Sequence, residues 1–173
     1  LAAIIAGYAA LTRYAGITII ATGCLIILLQ SDWKKGLRNS IFFGLIASIP
    51  LTINLIRNKI HTDTFTGLRK PATTSITDNL GFTFDTIEQW LFLPFKSHPW
   101  IIGGIVLLLI VWSLFLRRKD VYGKTVYSFA LIYAAFMIIS ASTSKHEQLN
   151  SRLLAAILLP VIIVVFDIIY QLH

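Results

Sequence analysis

The chain contains few acidic residues, few charges of any kind and a single cysteine. Only 8 of its 173 residues are aspartate or glutamate, charged residues make up 13%, and apolar residues make up 56%. The one cysteine, Cys24, can form no disulfide within the chain. So little charge, together with a mean hydropathy of +0.76, lies outside the range of soluble globular domains. These scarcities predict an integral membrane protein.

The sequence also lacks the short motifs of soluble enzymes. It has no glycine-rich phosphate loop, no nucleophile elbow and no dinucleotide fingerprint. His146-Glu147 begins like a zinc-protease helix, but Asn150 stands where the second histidine would be. The net charge of +7 comes without interleaved basic and aromatic recognition residues. We therefore expect no metal, no cofactor and no nucleic acid partner.

The apolar residues are grouped into six blocks. Five of them are 15 to 18 residues long, which with their flanks approaches the ~20 residues that cross a bilayer as a helix. Backbone in lipid must satisfy its own hydrogen bonds, and blocks this long and rich in Leu, Ile and Ala do not resemble barrel strands. The sequence predicts an all-α, polytopic protein of one transmembrane domain (1–173) with about six membrane-spanning helices. The blocks are 1–11, 16–30, 41–56, 100–116, 126–141 and 153–170.

Short basic loops predict the orientation of these helices. The two most basic ones, 32–38 and 117–124, are expected on the cytoplasmic side. Counting crossings from them places the long segment 57–99 and the loop 142–151 outside. The same count places Arg13, the only charge within the first 31 residues, near the external face.

The external segment 57–99 is too polar for lipid and too long for a simple connector. Capping residues around Ser75 precede apolar residues at spacings of three to four, which predicts an amphipathic helix lying in the membrane interface. An irregular loop folded over the helix ends is the alternative. The acidic residues of the segment, Asp78, Asp85 and Glu88, are expected to cap the helix or face solvent. The apolar stripe consists of Ile76, Leu80, Phe84, Ile87 and Leu91.

Several motifs resemble one family of membrane enzymes. The stretch Leu11-Thr12-Arg13-Tyr14-Ala15-Gly16 is similar to the helix break of bacterial glycosyltransferases of the GT-C type, related to protein mannosyltransferases and to the aminoarabinose transferase of lipid A. Further features resemble that family in the same order along the chain. These are a basic turn at 32–35, a proline-bearing helix closing on Arg57-Asn58, the loop opening Thr66-Gly67-Leu68-Arg69, and the helix start Ser151-Arg152-Leu153 with Pro160.

The resemblance implies a transferase that takes a sugar from a polyprenyl-phosphate donor on the external face of a bacterial inner membrane. It also implies that the catalytic acid lies on an external loop upstream of Leu1. The chain would then be the C-terminal portion of the enzyme and inactive by itself.

Arg13 is the first candidate for contact with the donor. A guanidinium at hydrocarbon depth costs from ~2.5 to well over ~10 kcal/mol, so it calls for a partner. Arginine matches phosphate with paired donors and stays charged, so we expect Arg13 to bind the donor phosphate beside Tyr14. The further candidates are Arg57, Arg69 and Arg152.

Alternative interpretations remain for both the residue and the chain. Arg13 could snorkel to the headgroups and meet only bulk membrane lipid. The chain could also be a transporter or lipid flippase, or a non-catalytic assembly subunit. The sequence does not indicate an oligomeric state.

Overall fold

The computed structural model describes residues 1–66, 71–91, 98–116, 120–144 and 149–171, with only the backbone at 115–116 and 167–171. Within these ranges the chain forms α-helices, one 3-10 turn and an isolated β-bridge between Pro71 and Ser144, and no β-strand. The predicted all-α class is confirmed. The helices are α1 (Ala2–Thr12), α2 (Ile17–Gln30), α3 (Trp33–Thr62), α4 (Ile76–Trp90), α5 (Pro99–Leu116), α6 (Val121–Thr143) and α7 (Ser151–Gln171).

Each of the six predicted apolar blocks is helical, but the helices differ in length. Among the described residues, α3 and α6 are long and apolar enough to cross a membrane. The other four apolar helices are shorter over their described residues. The structure therefore contains two candidate membrane spans, and the full count of six stays a prediction.

Helix α3 extends past both ends of its predicted block. Lys34, Lys35 and Arg38 were predicted to form a loop, but they lie in the first turns of the helix, which then continues to Thr62. The predicted boundaries were wrong because lysine and arginine are good helix formers, so a charge marks a polar environment rather than a helix end. The helix ends at Asp63, whose φ is 55° and whose N–H donates to the Lys59 carbonyl.

The chain divides into two compact units, Leu1–Lys70 and Pro71–His173. In the first unit, α1 and α2 pack against α3 around small side chains. A Cβ atom on Gly7 would lie 2.6 Å from the Ala47 carbonyl oxygen, so only glycine permits this approach of α1 to α3. The buried residues of this core are Ala6, Ala10, Ile20, Ala47 and Leu51.

The second unit is built around α4, which contacts α5, α6 and α7. The helix begins with a capping box between Ser75 and Asp78, as the capping residues predicted. Phe84 and Ile87 are buried in the protein core, whereas we predicted that this stripe would face the membrane interface. Helices α5, α6 and α7 cover these two side chains. The core residues are Phe84, Ile87, Val106, Ile110, Tyr127, Val161 and Val164.

Candidate functional site

The polypeptide leaves the helical conformation at Arg13. The residue is extended, with φ −149° and ψ 137°, between α1 and a 3-10 turn formed by Tyr14–Gly16. Its N–H donates to the Ala9 carbonyl at 3.4 Å, and its own carbonyl accepts from the Gly16 N–H at 2.8 Å. Hydrogen bonds on both sides thus hold the Arg13 backbone in place.

Gly16 allows the chain to fold back tightly at this break. A Cβ atom added to Gly16 would lie 2.2 Å from the Ala9 carbonyl oxygen, far inside the contact distance. The φ of Gly16 is −62°, which any residue can adopt, so the glycine is needed for the close approach alone. Glycine at position 16 of this motif therefore has a steric reason within the first unit.

The Tyr14 side chain joins the helix break to the C-terminal end of α3. Asn58 donates through Nδ2 to the Tyr14 hydroxyl oxygen at 3.3 Å, and the same nitrogen donates to the Phe65 carbonyl at 3.4 Å. The chain neighbours of this bonded pair are Arg13 and Arg57. Two motifs that lie more than 40 residues apart in the sequence are thereby brought to the same end of the first unit.

The two arginines at this end, Arg13 and Arg57, are exposed. Among the described residues, neither Arg13 nor Arg57 forms a side-chain hydrogen bond or an ion pair. Lys59 differs from them because its Nζ donates to the Asp63 carbonyl at 2.5 Å and lies 5.9 Å from the centre of the Phe65 ring. Arg13, Tyr14, Arg57 and Asn58 are called the arginine site below.

Two other predicted contacts are not part of this arrangement. Arg69, which the sequence proposed as a second phosphate contact, lies outside the described residues, as do the basic residues at 117–119. Arg152 is exposed in the second unit, at the start of α7, where its N–H donates to the Asn150 side-chain oxygen at 3.1 Å. The structure thus brings together only Arg13, Tyr14 and the end of α3.

Asn58 is the member of the site that sequence reasoning missed. It stood within the family-like Arg57-Asn58 stretch but received no role. Its partner Tyr14 lies 44 residues earlier, in the 3-10 turn after α1, and no local spacing or periodicity relates the two residues. The only sequence signal was the presence of a polar amide just after a long apolar block.

A second set of polar side chains is buried on α4. Asn79 donates through Nδ2 to the Ser142 hydroxyl at 2.8 Å, which joins α4 to α6, but its Oδ1 has no partner. Glu88 is 5% exposed, and its Oε1 also lacks a partner. We expected Glu88 to face solvent or cap a helix, and this was wrong because its position on α4 is covered by protein. Thr83 and Thr86 complete the buried set.

Asp78 caps α4 as the sequence predicted. The backbone N–H of Ser75 donates to its carboxylate at 3.0 Å, and the Ser75 hydroxyl lies 2.7 Å from the same oxygen. These two hydrogen bonds, the backbone one first, lower the pKa of Asp78 below its ordinary value of 3.8. The acidic side chain therefore serves the start of the helix.

Comparison with known proteins adds no relative from which a role could be transferred. No family model matches the chain, and no match was found among curated proteins or solved structures. Among the described residues, no three histidine, cysteine, aspartate or glutamate side chains come together as metal ligands would. The function must therefore be argued from the residues of the arginine site.

Proposed function

We propose that the chain is part of a membrane glycosyltransferase that uses a polyprenyl-phosphate-linked sugar, and that the arginine site holds the phosphate of this donor. One observation carries the proposal. Arg13 and Arg57 are exposed, have no ion-pair partner among the described residues, and stand beside the hydrogen bond that joins Tyr14 to Asn58. An anion with several acceptor oxygens suits guanidinium groups, which match phosphate with paired donors.

The exposed face of α3 supports a location in the membrane. Seven large apolar side chains between positions 41 and 56 are 45% to 63% exposed, which is unusual unless lipid or protein covers them. Basic residues flank this stretch, with Arg38 before it and Arg57 after it. These two residues are 19 positions apart, which corresponds to about 28 Å of helix and matches the ~30 Å hydrocarbon core. The arginine site would then lie at one membrane surface.

That depth fits the structure of a lipid-linked sugar donor. Its polyprenyl chain belongs in the hydrocarbon and its phosphate at the surface, level with the end of α3. When the sugar leaves, the bond between its anomeric carbon and the phosphate oxygen breaks, and negative charge increases on the phosphate. Arg13 and Arg57 stabilise that charge by donating hydrogen bonds to the phosphate oxygens. The acceptor oxygen forms the new bond to the anomeric carbon and gives up its proton to a base that is not part of the arginine site, so this site serves only the departure of the phosphate.

A binding experiment tests the phosphate site. The full-length protein in nanodiscs of neutral lipid is titrated with undecaprenyl phosphate, with phosphatidic acid and with inorganic phosphate. We expect undecaprenyl phosphate to bind most tightly, and Arg13→Gln to weaken it by roughly 10- to 100-fold, the range for a hydrogen bond to a charged group. Arg57→Gln should weaken it in the same direction.

The matched control is Arg38→Gln, which removes the same charge from an exposed residue near the other end of α3. It should bind undecaprenyl phosphate like the wild type. Wild-type binding by Arg13→Gln would overturn the proposal. Equal affinity for phosphatidic acid would do so as well, because Arg13 would then be an ordinary headgroup anchor.

A further inference from the structure

We infer that Asn58 is a positioning residue that holds Arg13 in place for the donor phosphate by acting through Tyr14. The inference rests on the proposed function and adds a residue that carries no charge and does not itself touch the phosphate. It starts from the two hydrogen bonds that the Asn58 amide donates, to the Tyr14 hydroxyl at 3.3 Å and to the Phe65 carbonyl at 3.4 Å.

Arg13 needs such an anchor because it lies outside regular structure. Its backbone is extended between α1 and a 3-10 turn of only three residues, Tyr14–Gly16. The hydrogen bonds of this turn are local, to Ala9 and Gly16, so they fix the shape of the break but not its position on α3. The Tyr14 side chain reaches across to α3, and Asn58 is the residue it meets there. The packing of α1 and α2 on α3 sets the overall place of the break. The hydrogen bond from Asn58 adds a directional contact at the residue next to Arg13, and its loss loosens the break locally while the helices stay packed.

The Asn58 amide also joins the break to the chain that follows α3. Its second bond goes to Phe65, just beyond the left-handed Asp63 that ends the helix. The Asn58 carbonyl accepts from the Thr62 hydroxyl at 2.8 Å, so the residue lies within an ordered last turn. Three segments of the first unit therefore meet at one side chain: the helix break, the end of α3 and the start of the following segment.

The chemical type of the side chain is important at this position. A neutral amide donates to Tyr14 without neutralising Arg13 or Arg57. A carboxylate at position 58 could still accept a hydrogen bond from the Tyr14 hydroxyl, so the break would stay attached. However, it would add a negative charge beside both arginines, pair with them and repel a phosphate. The aspartate variant therefore separates the fold from the phosphate site, because it keeps the contact with Tyr14 and loses affinity for a phosphate.

The test measures undecaprenyl phosphate binding by the full-length protein in neutral nanodiscs, together with its melting temperature. We expect Asn58→Ala and Tyr14→Phe each to weaken binding about fivefold, the factor for one net hydrogen bond. The double variant should lose less affinity than the sum of the two single losses, because both single variants remove the hydrogen bond that Tyr14 and Asn58 share. Asn58→Asp should bind more weakly than Asn58→Ala while melting closer to the wild type. Asn54→Ala, one turn earlier on α3 and also half-buried, should bind like the wild type.

Several outcomes would overturn the inference. If Asn58→Asp binds undecaprenyl phosphate like the wild type, no phosphate lies beside position 58 and the inference fails. If Asn58→Ala binds like the wild type while Arg13→Gln loses affinity, the result supports the phosphate site and contradicts the positioning role of Asn58. If Arg13→Gln itself binds normally, the proposed function fails first. Additive losses in the double variant would show that Tyr14 and Asn58 act separately, which also contradicts the inference.

Discussion

Replacing Glu88 with leucine should stabilise the protein. Glu88 is 5% exposed, its Oε1 has no hydrogen-bond partner, and no described residue forms an ion pair with it. Gly81 and Phe84, which lie two turns and one turn earlier on α4, both approach Trp100 of α5. Glu88 therefore faces α5, whose sequence has no charged side chain. A carboxylate in such surroundings lowers stability unless something else binds it.

The size of the effect follows from the missing hydrogen bond. A buried polar atom without a partner costs about 1 to 3 kcal/mol, and more when it is charged. Leucine removes the polar group and keeps a similar volume, and the two residues have similar helix propensities. For a chain of this length each kcal/mol shifts the melting temperature by about 2 to 4 °C, so Glu88→Leu should raise it by roughly 2 to 12 °C. Glu88→Gln removes only the charge and should produce a smaller rise.

Thermal unfolding in detergent, followed by circular dichroism, measures this shift. The control is Asp85→Asn, because Asp85 lies one turn earlier on the same helix and is exposed. This variant should change the free energy of unfolding by no more than about 0.5 kcal/mol, the range for a surface substitution, so its melting temperature should stay close to that of the wild type. A lower melting temperature for Glu88→Leu would refute the reasoning, since it would mean that the carboxylate has a favourable partner in the folded protein.

Two further predictions concern the second unit. Gly103→Ala should destabilise it strongly, because the new Cβ would lie 2.1 Å from the Phe84 ring, whereas Gly104→Ala, with no atom within 4 Å, should melt like the wild type. Ser75→Ala removes the hydroxyl hydrogen bond, the smaller of the two that lower the pKa of Asp78, and keeps the backbone one. The wild type should lose stability as the pH falls below 3.8, and the variant should lose somewhat less over that range. The sign follows because a carboxyl with a depressed folded pKa stabilises the fold above its unfolded pKa. Melting curves between pH 2 and pH 6 check this, and equal slopes for the two proteins would contradict it.

Hydropathy predicted the helices well because each apolar block has one plausible conformation when its backbone must satisfy its own hydrogen bonds. Helix ends were harder to predict. Lys34, Lys35 and Arg57 are charged and lie within α3. A charged residue therefore indicates a polar environment but does not mark where a helix begins or ends. The start of α4 was predictable because Ser75 and Asp78 interact within one turn. A local interaction is visible in a sequence.

Interactions between distant residues explain what the sequence did not show. Glu88 was misjudged because one apolar stripe on α4 was taken as its whole buried face, whereas contact with three helices buries a much wider arc. Asn79 similarly depends on Ser142, and Asn58 on Tyr14. Arg13 could be singled out because an isolated charge in an apolar run is anomalous by itself. Its neighbours at the end of α3 could be identified only once the chain was folded.

The scarcity of acidic residues acquires a specific meaning at the arginine site. The first unit contains only two, Asp32 before α3 and Asp63 after it. Asp63 is the acidic residue at the same end of α3 as the arginine site, and Lys59 donates to its backbone carbonyl. The partners that hold the break in place are a phenol and an amide, which leave the charge of Arg13 and Arg57 uncompensated. Arginines beside neutral groups attract an external anion more strongly than arginines already bound to carboxylates, because no existing ion pair must be broken first.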